Sequence, residues 1–128
     1  MTATPRIAAQ IAPPLAAHNR AIEVAEQDIV VRRLHGLSPI QGTEVDVLLR
    51  NLGRHTLVVT GVSANVAIPN AVFDAVNRGC TVVVPADAIA GVPADHTSAM
   101  IRDTLALVAT VTTTDEVLGC LVRPHHGS

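Results

Sequence analysis

The sequence predicts an α/β fold with a mostly parallel sheet, and three observations carry that reading. From about residue 28, short apolar β-branched runs alternate with stretches whose apolar residues recur at helical spacing. The joining segments are short and punctuated by Gly and Pro, as in chains where helices cross over between parallel strands. The best-formed runs, such as Leu57-Val58-Val59 and Val82-Val83-Val84, are apolar without alternation, the pattern of strands covered on both faces.

Taken in order, Asp28-Ile29-Val30-Val31-Arg32-Arg33 is the first strand candidate, and His35-Gly36-Leu37-Ser38-Pro39 breaks it. Thr43 is a good N-cap for a helix with Glu44 and Asp46 at its positive end. Val45, Leu48, Leu49 and Leu52 share one face of that helix, and Gly53 stops it. Residues 55–60 form the second strand, and the chain then turns at Gly61-Val62-Ser63. A helix over 66–77 places apolar residues at 68, 72, 73 and 76, with Pro69 in its tolerant first turn and Gly79 beyond its end. Residues 81–84 are the third strand, closed by Pro85-Ala86-Asp87-Ala88. Pro93 starts a long helix reaching about Leu107, and residues 108–112 are the fourth strand. Thr113-x-x-Glu116 reads as a capping box for a last short helix, with Gly119 after it. Before residue 28 the pattern is irregular, with short helices allowed over 6–12 and 21–27.

With 128 residues, the chain suits one core and is too short for two. It is expected to form a single domain over 1–128, with an irregular or helical segment at 1–27 and a tail at 121–128. Hydrophobic residues make up 48% and charged residues 16%, which excludes a disordered chain. One Phe, with no Trp or Tyr, leaves the core to Val, Ile, Leu and Ala and excludes a base-stacking nucleic-acid platform. A net charge of −2 offers no field for nucleic acid or an anionic membrane. No apolar run reaches the ~20 residues of a membrane span, and the N-terminus lacks a signal-peptide core. Cys80 and Cys120 do not make a disulfide framework and suit a reduced, cytoplasmic setting. His125-His126 lacks a third ligand, so no metal is expected, and no cofactor.

In open parallel sheets ligands bind beyond the carboxyl ends of the strands. The loops at 33–38, 61–67 and 86–92 lie there. The second leads from a buried strand into a helix N-terminus, where free N–H groups suit a carboxylate, a thiolate or an oxyanion.

Four segments carry a family resemblance. Leu57-Val58-Val59-Thr60-Gly61-Val62-Ser63-x-Asn65-Val66-Ala67 resembles the nucleophile segment of the isochorismatase-like cysteine hydrolases. Gly79-Cys80-Thr81-Val82-Val83-Val84-Pro85-Ala86-Asp87-Ala88 is similar to that family's next strand and Asp-Ala loop. Ala109-Thr110-Val111-Thr112-Thr113-Thr114-Asp115-Glu116-Val117-Leu118 is similar to its final strand. Gln41-Gly42-Thr43-Glu44-Val45-Asp46-x-x-Leu49-Arg50 is similar to the helix after its catalytic-lysine strand. The segments stand in the family's order and spacing over residues 28–118.

The resemblance implies a three-layer αβα, Rossmann-like fold. It also implies a reaction in which a helix-N-terminal Cys attacks a carbonyl, with an Asp base, an assisting Lys and a cis peptide shaping the oxyanion hole. Here the Cys position falls on Ala67, which offers no nucleophile. The Lys position falls on Arg33, or on Arg32 in a one-residue-shorter loop, and a guanidinium does not release its proton. The family's first strand, ending in Asp-x-Gln, has no counterpart, so the chain resembles an N-terminally truncated member with an apolar sheet edge beside the strand at 55–60. The family's metal-binding members likewise place their ligands upstream. Val62–Ser63 matches the cis-peptide position, and the amides of Ser63 and Ala67 remain as anion donors.

The expected binding residues are Arg33, His35, Val62, Ser63, Asn65 and Ala67. Four of them, and Asp87, keep a second reading. Arg33 either pairs with a ligand carboxylate or is a solvated strand end. His35 either lines the pocket or lies on the surface. Ser63 is either a substitute nucleophile or a turn former. Asn65 serves as a helix cap, and Asp87 either faces a ligand or caps the next turn. Cys80, away from any predicted helix N-terminus, is not read as catalytic. Two functions follow: a family member that has lost Cys-based hydrolysis and acts as a binding or structural subunit, or a hydrolase of a small amide, imide or enol ether. The hydrolase would use a non-standard nucleophile or a site completed by another chain. The partners expected are a small carbonyl-containing or anionic ligand and further copies of this chain.

Overall fold

A computed structural model describes residues 23–33 and 36–122 of the chain. It divides into two compact units, residues 1–36 and residues 37–128. In the first unit the described residues contain a turn closed at both ends by one residue. Asp28 donates its N–H to the Ala25 carbonyl at 3.0 Å, and its carboxylate accepts the Ala25 N–H at 2.8 Å. That turn occupies the described part of the helix expected over 21–27. Residues 28–33 form no strand, and Ile29 and Val30 are exposed. This corrects the first strand assignment: β-branched content favours a strand only where neighbouring strands and a covered face reward it. The helix expected over 6–12 and the pair His125-His126 lie outside the described residues.

The second unit is an α/β arrangement with parallel sheets. Its helix α1 (Val45–Asn51) leads into β1 (Thr56–Val58) and then β2 (Gly61–Val62). Helix α2 (Ala67–Asn77), β3 (Thr81–Pro85), a 3₁₀ turn at Ala86–Ala88 and β4 (Ile89–Ala90) follow. Next come α3 (Ala94–Met100), a π-helical segment at Ile101–Leu105, and α4 (Ala106–Val108). The chain continues into β5 (Thr110–Thr112) and α5 (Thr114–Val122). Strands β1, β3 and β5 form a parallel sheet in the order β1-β3-β5, with Leu57 opposite Val82 and Val84 opposite Val111. β2 and β4 form a second, two-stranded parallel sheet, with Gly61 opposite Ile89 and Val62 opposite Ala90.

The strand expected over 55–60 is shortened to Thr56–Val58, and the turn expected at Gly61-Val62-Ser63 contains β2. Gly61, at a φ of +109°, adopts a backbone that side-chain-bearing residues avoid, and from it the chain pairs with β4 instead of β3. β1 is also less covered than its apolar run implies: Val58 is 46% exposed, because β1 is an edge strand among the described residues. Central β3 has the expected burial, with Val82 and Val84 inaccessible. They pack with Ile68, Val72 and Ala75 of α2, with Leu105, and with Ile40, Ala64 and Ile89. Burying each such Val, Leu or Ile contributes about 1.5–3 kcal/mol.

Both α1 and α2 end in the same hydrogen-bonded device. The N–H of Gly53 reaches the Arg50 carbonyl and that of Arg54 the Leu49 carbonyl. Likewise Gly79 reaches Val76, and Cys80 reaches Ala75. This pair of bonds needs a left-handed residue after the helix, which both glycines supply at φ +63° and +85°. The capping position of α1 is Glu44, one residue after the expected Thr43, although the Thr43 hydroxyl accepts the Val45 N–H at 3.2 Å; Leu52 is exposed instead of lying on the buried face. At the far end Thr113 accepts the Glu116 N–H at 3.3 Å, while the Glu116 carboxylate takes the Thr112 hydroxyl. Gly119 does not end α5, which runs on to Val122, two residues into the expected tail.

A polar chain fastens residues 38–41 and both first helices together. Asp74 accepts the Ser38 hydroxyl at 2.5 Å and the Gln41 N–H at 2.9 Å, and pairs with Arg78 at 2.8 Å. Arg78 also pairs with Asp46 at 2.8 Å, and Asp46 with Arg50. Burial alone pushes the Asp74 carboxyl up. The Ser38 hydroxyl, the Arg78 guanidinium and the Gln41 amide outweigh it, so the net shift is below the ordinary 3.8. A depressed carboxylate contributes stability above its unfolded value and loses it as pH falls through the folded one. We therefore expect stability to be flat above about pH 5 and to fall below about pH 4. Asp74→Asn is expected to cost about 1.5 kcal/mol at pH 7 and to flatten that acid limb. Far-UV circular dichroism during heating reads both effects.

Candidate functional site

The carboxyl ends of β2 and β4 deliver two loops to one place. Residues 63–66 connect β2 to α2, and residues 91–93 connect β4 to α3. The Val62–Ser63 peptide is cis, at the position the resemblance names, and so is Val92–Pro93. The Ala64 N–H donates to the Ala90 carbonyl at 2.8 Å, so the two loops hold each other through the backbone. The Ser63 carbonyl accepts the N–H groups of Val66, at 3.3 Å, and Ile68, at 3.0 Å, which takes up part of the open end of α2. The amides of Ser63 and Ala67 are not among these donors.

Ala67 is the first residue of α2 and is half-buried. Ser63 is half-buried and Val62 is 43% exposed. Asn65 does not cap α2. The capping position is Val66, which offers no side-chain bond, while the Asn65 amide donates to the Val92 carbonyl at 2.9 Å. Its other atom, Oδ1, is buried without a hydrogen-bond partner among the described residues. Gly91 packs against that oxygen. A Cβ there would lie 2.3 Å from Asn65 Oδ1, 2.8 Å from Thr97 Oγ1 and 3.1 Å from the Ala64 Cβ. The glycine lets the second loop close against the first.

Asp87 turns to a different task. Its Oδ1 accepts both the N–H of Thr114, at 2.8 Å, and the Thr114 hydroxyl, at 2.9 Å. Those bonds, the backbone one first, hold its carboxyl below the usual carboxylate range. Asp87 therefore fastens the start of α5, 27 residues on, in place of the next turn.

Of the expected binding residues, the structure gathers Val62, Ser63, Asn65 and Ala67 into one loop. Arg33 lies in the first unit and is exposed, and His35 lies outside the described residues. Sequence reasoning missed Gly91 and Thr97, together with the pairing of β2 and β4. Two-residue strands leave no periodic signal, and the one local cue was a glycine two residues before a proline. Among the described residues no three His, Cys, Asp or Glu side chains cluster to hold a metal ion. No described helix is long and apolar enough to cross a membrane.

The loop ends at the start of an 11-residue helix, a place whose positive dipole end favours anions in general, and no thiol stands at the helix's first position. A profile of the isochorismatase domain matches residues 6–116. A curated relative, an uncharacterized isochorismatase family protein, YecD, from Escherichia coli O157:H7, is 27% identical over 105 residues. The match takes in 81% of this chain and 55% of that protein, so this chain spans about half of its relative's length. Among solved structures, an isochorismatase family protein from Burkholderia thailandensis is similar at 27% identity with a TM-score of 0.76. It covers 81% of this chain and 54% of its own. Another, from Desulfovibrio vulgaris, is similar at 29% identity with a TM-score of 0.70, covering 80% and 53%.

Proposed function

The chain belongs to the isochorismatase family, and from that premise we propose that it has given up cysteine-based hydrolysis. It serves instead as a non-catalytic binding or structural subunit, holding a small carbonyl-containing or anionic ligand and assembling with copies of itself. One observation carries the reading: the first residue of α2, where the resemblance puts the attacking sulfur, is Ala67. A methyl group forms no covalent intermediate. The geometry that remains is a helix start and a loop braced by Asn65 against Val92, which suits binding more than bond making. Two unpaired cysteines accord with a reducing cytoplasm as its place of work.

The test compares native chain, Ala67→Cys and Ser63→Ala on a panel of small amides, imides and enol ethers. We expect no turnover from the native chain, and none from any form lacking the introduced thiol. Turnover by the native chain that disappears in Ser63→Ala would establish the hydrolase with a non-standard nucleophile. Sizing the purified chain by peptide-bond absorbance, since Trp and Tyr are absent, tests assembly: a monomer-sized peak contradicts it.

A further inference from the structure

A second site lies at the opposite ends of the strands. The C-termini of α1 and α2 stand side by side there, because β1 and β3 follow them directly and pair, with Thr81 donating its N–H to the His55 carbonyl at 2.8 Å. Between them is a groove of about 320 Å³, lined by Asp46, Arg50, Arg54, His55, Arg78 and Cys80. At roughly 30 Å³ per water, that is room for about ten waters. Three arginines and one aspartate are among its lining residues, with Leu49 completing the wall. Arg78 is committed to Asp46 and Asp74, and Arg50 to Asp46. The Arg54 side chain has no hydrogen bond or ion pair among the described residues.

The opposing charges are countable. Asp74 behind Arg78 offsets part of the cationic excess. Helix C-termini carry partial negative charge, but here several of the last carbonyls accept N–H bonds from the residues that follow, among them those of Leu49, Arg50, Ala75 and Val76. Three arginines against Asp46 and Asp74 leave one formal positive charge, and Arg54 is the arginine whose planar fork of donors has no partner among the described residues. That fork matches a carboxylate or a phosphate edge to edge.

We propose that this groove binds a small doubly charged oxyanion, with Arg54 as its principal contact and the Cys80 thiol on its wall. The site is independent of the loop at 61–67, so its failure leaves the proposed function standing. The two cysteines provide the assay. Cys80 is half-buried in the groove, and Cys120, on α5, is exposed and serves as the internal control.

The native chain is alkylated with the neutral reagent iodoacetamide at constant ionic strength, held with chloride, while inorganic phosphate or malonate is raised. An anion seated on Arg54 covers the thiol, so Cys80 labelling should slow at least five-fold while Cys120 labelling stays unchanged. The more effective of the two anions identifies the chemistry as phosphate-like or dicarboxylate. Arg54→Gln, at a side chain without a partner among the described residues, should raise the half-protecting concentration about ten-fold. No slowing with either anion, equal slowing at both thiols, or protection unaltered in Arg54→Gln overturns the site.

Discussion

Ala67→Cys is expected to create a thiol that is alkylated about ten-fold faster at pH 7 than Cys120 in the same molecule. An ordinary thiol titrates near 8.5 and is a few per cent thiolate at neutral pH, while one at a helix N-terminus titrates at or below about 7. Position 67 is the first residue of an 11-residue helix, so a sulfur there sits at the positive end of that helix's dipole. Cys120 is exposed and lies in the last turn of α5, away from any helix start. The comparison is internal: tryptic cleavage after Arg54 and Arg78 isolates position 67 from both native cysteines. Timed labelling with mass readout gives both rates from one sample. A rate at position 67 equal to or below that of Cys120 would mean that this loop no longer supports the charge chemistry of a nucleophile site.

Gly91→Val is expected to cost about 3 kcal/mol and to loosen both loops of the site together. The Cβ alone would lie 2.3 Å from Asn65 Oδ1 and 2.8 Å from Thr97 Oγ1, and the branched carbons of Val extend further. Overpacking of this kind ordinarily costs about 1–3 kcal/mol. Relief by swinging Asn65 away gives up its bond to the Val92 carbonyl, which adds about 1 kcal/mol. Relief through the backbone is resisted by the Ala64 bond to Ala90 and by the buried Ala64 side chain 3.1 Å away. Gly91→Ala should show the smaller version of the same loss, about 1–2 kcal/mol. Chemical denaturation followed by circular dichroism gives the magnitude. Amide exchange at Ala64, whose N–H is held by Ala90, reports whether the loops part locally.

Much of this architecture was legible because its cues are local. Gly53 and Gly79 were read as helix stops, and each closes a helix with the paired bonds that a left-handed residue permits. The run Val82-Val83-Val84 was read as a covered strand, and it is the centre of the main sheet. The misreadings have one cause, which is that partners decide. Ile29 and Val30 have the composition of a strand but form none, and Val58 belongs to a strand with one neighbour among the described residues. The sequence offers Asp87 a ligand or the next turn, and Asn65 the cap of its own helix, the local roles that short polar side chains usually take. Both instead bridge 27 residues, to Thr114 and to Val92. No spacing rule connects positions so distant. The site was half visible for the same reason: the segment carrying Ser63, Asn65 and Ala67 is contiguous, whereas Gly91 and Thr97 enter it only through folding.

The proposed loss of covalent chemistry is tested most directly by the mass of one peptide. The native chain is incubated with an activated acetate ester and digested, and the fragment spanning residues 55–78, which holds Ser63 and Ala67 and no cysteine, is weighed. We predict that it keeps its unmodified mass at every time point. An acetyl group accumulating on Ser63, and removed from the record by Ser63→Ala, would contradict the account.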